Sequence, residues 1–137
     1  MGIALTDDVK RLLDDRNFAH LATLMRDGSP HTVPVWVGRE GNSIIVCTSE
    51  GSVKAKNTLR DSRVAISIID LDDPYSEAQL RGRVVERRRD SGFKYLDTIS
   101  KKYVGKPWPY RKEIPLALVI EVEKARYLKQ PFEHKPD

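Results

Sequence analysis

Cysteine and histidine are scarce in this sequence. Cys47 is the only cysteine, so no disulfide can form within the chain. We therefore expect a reducing compartment, and predict a cytoplasmic protein. His20, His31 and His134 are far apart along the chain, whereas a zinc site needs three or four convergent ligands. We predict no metal site.

Long apolar segments are absent as well. No run of about 18 apolar residues occurs, and residues 1–8 lack the charged-then-apolar pattern of a signal peptide. We therefore expect no membrane span and no membrane partner. The formal net charge is only +4, which favours an anionic ligand. Because the basic residues are spread over the whole chain, we predict no nucleic-acid partner.

Familiar catalytic motifs are also missing. The chain has no Gly-rich dinucleotide fingerprint, no P-loop and no His-Glu-x-x-His pair. It has no Gly-x-Ser-x-Gly elbow either. The motifs therefore assign no catalytic residue.

The sequence does contain a series of short apolar or alternating segments separated by turn signals. One domain over residues 1–137 is expected, mainly β, as an antiparallel barrel or rolled sheet with peripheral helices. Thr6 is predicted to cap a helix ending near residues 16–17, and Asp90 or Ser91 to cap another that ends at Gly105. A polar tail over residues 129–137 is expected to fray. The predicted strands are residues 18–25, 31–38, 43–49, 63–70, 75–88 and 116–122, of which the first three are expected to pair with one another.

Residues 48–57 have the features of a phosphate-binding segment. This segment follows a strand, passes through a glycine and enters a helix, so hydroxyls, free backbone N–H groups and the helix dipole converge. Lys54 and Asn57 are three residues apart and are predicted to share one face, whereas Lys56 should point elsewhere. The alternative is an ordinary capped surface helix with solvated lysines. The hydroxyl groups of the segment belong to Thr48, Ser49 and Ser52.

Aromatic residues near prolines are a second candidate feature. Trp36 alternates with valines on a strand that Pro34 prevents from pairing fully, so Trp36 either packs in the core or borders a flat ring system. Trp108 and Tyr110 flank Pro109 in a rigid loop, as a core plug or a subunit contact.

Several motifs together resemble the pyridoxamine-phosphate-oxidase-like split barrels, over roughly residues 7–128. The first two predicted strands carry Leu21-Ala22-Thr23-Leu24, Asp27-Gly28-Ser29-Pro30 and Pro34-Val35-Trp36, followed by Lys54-x-x-Asn57 and Asp61-x-Arg63-Val64-Ala65. Further motifs are similar to the branch of oxidoreductases that depends on the deazaflavin coenzyme F420. These are Pro74-Tyr75, Arg81-Gly82-Arg83-Val84-Val85, Lys102-Tyr103-Val104-Gly105 and Pro107-Trp108.

The resemblance implies a six-stranded antiparallel split β-barrel that forms a homodimer with cofactor sites at the interface. It implies that Tyr103, Trp108 and Tyr110 lie where the partner subunit approaches. Ser52 stands where relatives often have a basic residue. The implied cofactor-binding residues are Val33, Pro34, Val35, Trp36, Thr48, Ser49, Ser52, Lys54, Asn57 and Trp108.

Three functions remain open at this stage. The first is an F420-dependent oxidoreductase that transfers a hydride to a small organic acceptor. The second is an FMN-binding oxidase or reductase of the pyridoxamine-phosphate-oxidase type. The third is a non-catalytic module that binds a flavin or another ligand. Tyr75, His31 and solvent are the alternatives for a proton donor, because the cofactor itself would carry the redox chemistry.

Overall fold

The computed structural model describes residues 2–135 as three helices around one antiparallel sheet of seven strands. The strand order across the sheet is β2-β1-β5-β6-β7-β4-β3. No described helix is both long and apolar enough to span a membrane. The elements are α1 (Asp7–Asp14), β1 (Ala19–Leu24), β2 (Pro30–Val35), β3 (Gly38–Glu40), β4 (Ser43–Thr48), α2 (Val53–Arg60), β5 (Arg63–Ile69), β6 (Ser76–Arg89), α3 (Lys94–Val104) and β7 (Leu116–Lys129).

The sheet is rolled into a split barrel. β2 and β3 are its two edge strands, yet only Trp36 and Val37 separate them in the chain. Three Cα steps can bridge at most about 11 Å. A flat sheet of seven strands would hold its edges about 29 Å apart. The two edges must therefore curl toward each other, which confirms the predicted fold class.

The number and pairing of the strands differ from the prediction. The segment 31–38, expected to be one strand, is broken at Trp36 and Val37 into the end of β2 and the start of β3. The sheet therefore has seven strands instead of six. β2 pairs with β1 as predicted, but β4 pairs with β3 and β7 and not with β2. The residues at the break carry the chain across the split, so the third predicted strand, β4, lies next to the opposite edge strand, β3.

The last strand is longer than the apolar pattern predicts. β7 continues from Val122 to Lys129 because the polar second half pairs with the first half of β6. Lys129 therefore lies in a strand, and the backbone N–H of Gln130 donates to the carbonyl oxygen of Tyr75 at 3.0 Å. The rest of the expected tail includes residues 136–137, which lie outside the described residues.

Two apolar clusters stabilise the fold. The larger cluster fills the barrel and is closed by Val9, Leu12 and Leu13 of α1. Burial of each such side chain contributes about 1.5–3 kcal/mol. The smaller cluster lies between α3 and the outer face of β4 and β7. It consists of Ile45, Ile99, Ala117 and Val119, against which Trp36, Cys47, Tyr95 and Tyr103 pack.

The helix ends follow the predicted capping chemistry, with one difference. Thr6 Oγ1 accepts from the N–H of Val9 at 3.3 Å, and Gly105 ends α3 with φ of 75°. α3 begins at Lys94, because Phe93 before it adopts a left-handed conformation with φ of 57°. The Asp90 carboxylate nevertheless accepts from the first-turn N–H groups of Tyr95 and Leu96. Phe93 therefore lies outside the helix.

Candidate functional site

A groove of about 820 Å³ lies outside the barrel, between the ends of β2 and β4, the start of α2, and α3 with the loop that follows it. This groove is the candidate site. Leu96 and Ile99 of α3 and residues 108–113 of the loop line one side. Seven of the ten predicted cofactor residues line it as well: Pro34, Val35, Trp36, Thr48, Ser49, Lys54 and Trp108.

One end of the groove carries hydroxyl groups at the start of α2. Thr48 and Ser49, at the end of β4, line the groove directly. Thr48 Oγ1 donates to Ser52 Oγ at 2.8 Å, and Ser52 Oγ accepts from the N–H of Ala55 at 3.2 Å. Ser52 is thus the N-cap of α2, which orients the helix, and does not itself line the groove. Its hydrogen bonds explain why a serine suits this position.

Lys54 brings a positive charge to the same end. Its side chain is half-buried against the groove, and burial lowers the pKa of its ammonium group. Among residues 2–135 no carboxylate forms an ion pair with Lys54. Lys56, two residues later, is exposed and does not line the groove. A half-buried cation without an internal counter-ion is suited to bind an anion from solution.

Asn57 and Val33 are not brought into the groove. The Asn57 side chain is only 3% exposed and donates to Thr23 Oγ1 at 3.0 Å. The spacing predicts that Asn57 and Lys54 share one face of the helix. In the structure Asn57 contacts β1, and only Lys54 lines the groove. Val33 packs against the core of the barrel.

Aromatic rings line a second part of the groove, here called its aromatic end. The Trp36 indole is stacked on the Tyr103 ring, with centroids 5.1 Å apart and planes 3° apart. Trp108 meets Trp36 edge-on at 6.0 Å, and Tyr110 meets Trp108 at 5.4 Å. Tyr110 is 70% exposed. Trp36 thus packs beside α3, as one of the two alternatives predicted, and it also lines the groove. That it borders a flat ring stays a prediction.

Two residues of α3 that the sequence analysis missed anchor the loop bearing Trp108. The Asp97 carboxylate accepts from the N–H of Trp108 and from Arg111 Nη2, each at 3.0 Å. Ser100 Oγ donates to the carbonyl oxygen of Lys106 at 2.7 Å. Asp97 and Ser100 are three residues apart on one helix face, and this spacing is the signal that could have identified them.

The sequence analysis also gave no role to Arg87, which lies in the arginine-rich end of β6. Its Nη2 donates to the carbonyl oxygen of Ala55 at 2.8 Å, and its Nη1 to Thr58 Oγ1 at 3.0 Å. Arg87 of β6 therefore holds α2, and with it Lys54, against the sheet.

The remaining polar candidates do not offer a catalytic group in the groove. Burial raises the pKa of the Cys47 thiol to about 12, so this wall residue is neutral near pH 7. Tyr75 and His31 do not line the groove, and the Tyr75 ring instead contacts those of Phe132 and His134. No group of three His, Cys, Asp or Glu side chains within residues 2–135 could hold a metal ion.

Comparison with known proteins gives a consistent result. The family model described as Pyridoxamine 5'-phosphate oxidase matches residues 5–130. No curated protein matches the chain significantly. A solved structure of an F420 reductase is 25% identical with a TM-score of 0.78, covering 85% of this chain and 94% of that one.

Two further solved structures are less than 25% identical and show the fold alone. A conserved hypothetical protein from Mycobacterium tuberculosis is 18% identical, with a TM-score of 0.74, and the match covers 99% of this chain and 94% of that one. A candidate pyridoxamine 5'-phosphate oxidase from Listeria innocua is 20% identical with a TM-score of 0.69, and the match covers 90% and 98%.

Proposed function

Because the chain belongs to the pyridoxamine 5'-phosphate oxidase family, we propose that it is an oxidoreductase that uses coenzyme F420, a phosphate-bearing deazaflavin. The proposed reaction is hydride transfer to a small organic acceptor. One observation carries the proposal. A half-buried Lys54, which forms no ion pair with any carboxylate within residues 2–135, lines the same groove as a flat indole, Trp36. The similarity to an F420 reductase across 85% of the chain supports the choice of deazaflavin.

The hydroxyl end of the groove fits a phosphate. Lys54 would supply the charge, while Thr48 and Ser49 would supply hydroxyl groups. α2 begins at Val53 beside them, so its N-terminal dipole favours a negative charge there. Ser52 would act indirectly, by capping this helix.

The aromatic end fits a flat ring. Trp36 and Trp108 offer rings at right angles, and Pro34 and Val35 add an apolar surface. When bound, the deazaflavin would supply hydride chemistry at a ring carbon. The protein would orient the ring and the acceptor and keep water from them. Since neither Tyr75 nor His31 lines the groove, the proton would come from solvent.

FMN is the alternative cofactor, because it also combines a flat ring with a phosphate. The family to which the chain belongs carries the name of a pyridoxamine-phosphate oxidase, which favours this second candidate. A third hypothesis is that the protein is a non-catalytic module that binds a flavin in the same groove.

We also propose that the protein functions as a homodimer whose second subunit covers the groove. Large apolar side chains are exposed at the edge of the groove, which favours a protein contact there. Tyr110 is 70% exposed and Ile114, beside the groove residue Pro115, is 40% exposed. Sedimentation equilibrium tests this assembly, and a monomer at micromolar concentration would contradict it.

Titration of the purified apoprotein tests the cofactor. F420, FMN and riboflavin, which lacks the phosphate, are each added while ring fluorescence is followed. We expect F420 to bind most tightly, FMN more weakly and riboflavin weakest. Tighter binding of FMN than of F420 would establish the alternative. Binding of neither phosphate-bearing ligand would contradict the proposal. Turnover with reduced F420 and a set of small acceptors then separates an enzyme from a binding module.

A further inference from the structure

Val37 lies at the crossing between the two edges of the barrel, between the end of β2 and the start of β3. Both of its backbone polar groups are instead bound by side chains of α3. The N–H of Val37 donates to Tyr103 Oη at 3.2 Å, and Lys102 Nζ donates to the Val37 carbonyl oxygen at 2.5 Å. Adjacent residues of one helix thus replace the missing sheet hydrogen bonds.

The same two side chains also reach the other elements around the crossing. Lys102 Nζ donates to the carbonyl oxygen of Leu13 at 2.7 Å, and Tyr103 Oη donates to that of Asn17 at 2.5 Å. α3 is thereby joined to the end of α1 and to the segment before β1. Hydrogen bonds of Lys102 and Tyr103 thus link the crossing to α3, to the end of α1 and to the segment before β1.

Trp36, the other residue of the crossing, is held by the ring of Tyr103. The indole stacks on that ring at 5.1 Å, and Lys102 Nζ lies 4.6 Å from the centroid of the same ring. The orientation of the indole, which lines the groove, therefore depends on where Tyr103 lies. Tyr103 is fixed in turn by its own hydrogen bonds and by the Lys102 ammonium group.

We propose that Lys102 and Tyr103 are positioning residues that fix the plane of Trp36, and that the affinity of the groove for a flat ring depends on the charge of Lys102. This proposal rests on the proposed function, since it concerns ring binding in the same groove. It adds regulation by pH, which changes ring binding at the aromatic end of the groove and not phosphate binding at its hydroxyl end.

The charges around Lys102 set the pH range. Burial lowers the pKa of Lys102 to about 8, while the carboxylates of Asp14 and Asp15 oppose this shift. Asp14 is itself paired with Arg39, at 2.7 Å. Burial raises the pKa of Tyr103, so the phenol stays neutral throughout this range. Loss of the Lys102 charge around pH 8 should weaken its hydrogen bonds and its contact with the Tyr103 ring.

The first experiment needs no ligand. In a Trp108→Phe background Trp36 is the only tryptophan, and its emission and near-ultraviolet dichroism are recorded from pH 6.5 to 9.5. We expect a transition with a midpoint near pH 8. Lys102→Met should abolish the transition, whereas Lys101→Met, a change at the exposed neighbouring lysine, should preserve it. Trp36 signals that do not change over this pH range would overturn the proposal, even if Lys102→Met does not fold.

The second experiment uses lumiflavin, a flavin ring without a phosphate, and FMN. Lys102→Met and Tyr103→Phe should each weaken lumiflavin about three- to tenfold at pH 7, and Lys102→Arg should restore part of the loss. The ratio of FMN to lumiflavin affinity should stay within about twofold of the parent protein's. A loss confined to FMN, or no loss for either ligand, would contradict the positioning role. If the parent protein binds none of F420, FMN and lumiflavin, the proposed function fails, whereas the tryptophan signals still decide the positioning role.

Discussion

The Asn57 side-chain amide donates to Thr23 Oγ1 at 3.0 Å, across the contact between α2 and β1. Both residues are buried, and the Asn57 carbonyl oxygen of the side chain accepts from Arg60 Nη2. Asn57 is thus used to seat α2 on the barrel. The three-residue spacing predicts that Asn57 and Lys54 lie on one side of the helix. Of the two side chains, only that of Lys54 lines the groove.

Replacement of Asn57 should lower stability and leave the preference for phosphate unchanged. Asn57→Ala leaves Thr23 Oγ1 buried without its donor, which costs about 1–3 kcal/mol. Urea unfolding measures this loss, with Lys56→Ala on the same helix as the exposed control. The opposite result would be an Asn57→Ala protein that is as stable as the parent but no longer prefers FMN over riboflavin. That result would show that Asn57 contacts the phosphate.

Replacement of Lys54 should act on the phosphate of the ligand. Lys54→Ala removes the positive charge beside Thr48 and Ser49 and should weaken a phosphate-bearing cofactor by about 1.5–3 kcal/mol. Riboflavin should be affected far less. Calorimetric titration of both ligands measures the difference, and Lys56→Ala is the matched control at an exposed position. Equal losses for both ligands would exclude Lys54 as a phosphate contact.

Gly82 should not tolerate a side chain. A Cβ atom at this position would lie 2.0 Å from the carbonyl oxygen of Glu121, where the register of β6 and β7 shifts. Because this neighbour is backbone in a central pair of strands, Gly82→Ala should destabilise the protein by about 2 kcal/mol or more. Thermal unfolding measures the change. Gly92→Ala is the control, since a Cβ atom there meets nothing within 4 Å. Similar melting temperatures for the two variants would contradict this explanation.

The Cys47 thiol should react slowly. Burial raises its pKa from 9.0 to about 12, so at pH 8 the folded protein holds roughly a thousandth of the thiolate of the unfolded chain. Iodoacetamide labelling followed by mass spectrometry should be about a thousandfold slower than in 8 M urea. Because the folded state favours the neutral thiol, its contribution to stability is complete below pH 9 and is lost as the pH rises from 9 to 12. Cys47→Ser should remove that part of the pH dependence, and rapid labelling of the folded protein would contradict the assignment.

Local features of the fold could be predicted because they depend on neighbouring residues alone. Thr6 caps α1, Ser52 caps α2 and Gly105 ends α3, each through contacts within a few residues. Helical spacing likewise predicted that Lys54 and Lys56 point in different directions from the helix. The order of the motifs also indicated the family, and with it the rolled antiparallel sheet.

Features that depend on the far side of the molecule could not be predicted. Whether segment 31–38 continues or breaks depends on where the two edges of the barrel meet, and Lys102 and Tyr103 satisfy the backbone at that break. The second half of β7 is polar, and only its pairing with β6 makes it a strand.

The sequence by itself determined the cap of α1, the C-terminal end of α3, most strand positions and the segment that carries Lys54. The tertiary structure decided that Asn57 faces β1, that Asp97 anchors the Trp108 loop, and that Trp36 lies flat against Tyr103. The physical reason is the range of the interactions. Caps and periodicity act over three or four residues, whereas the partner of a buried amide or an unpaired carbonyl is chosen by the closure of the barrel.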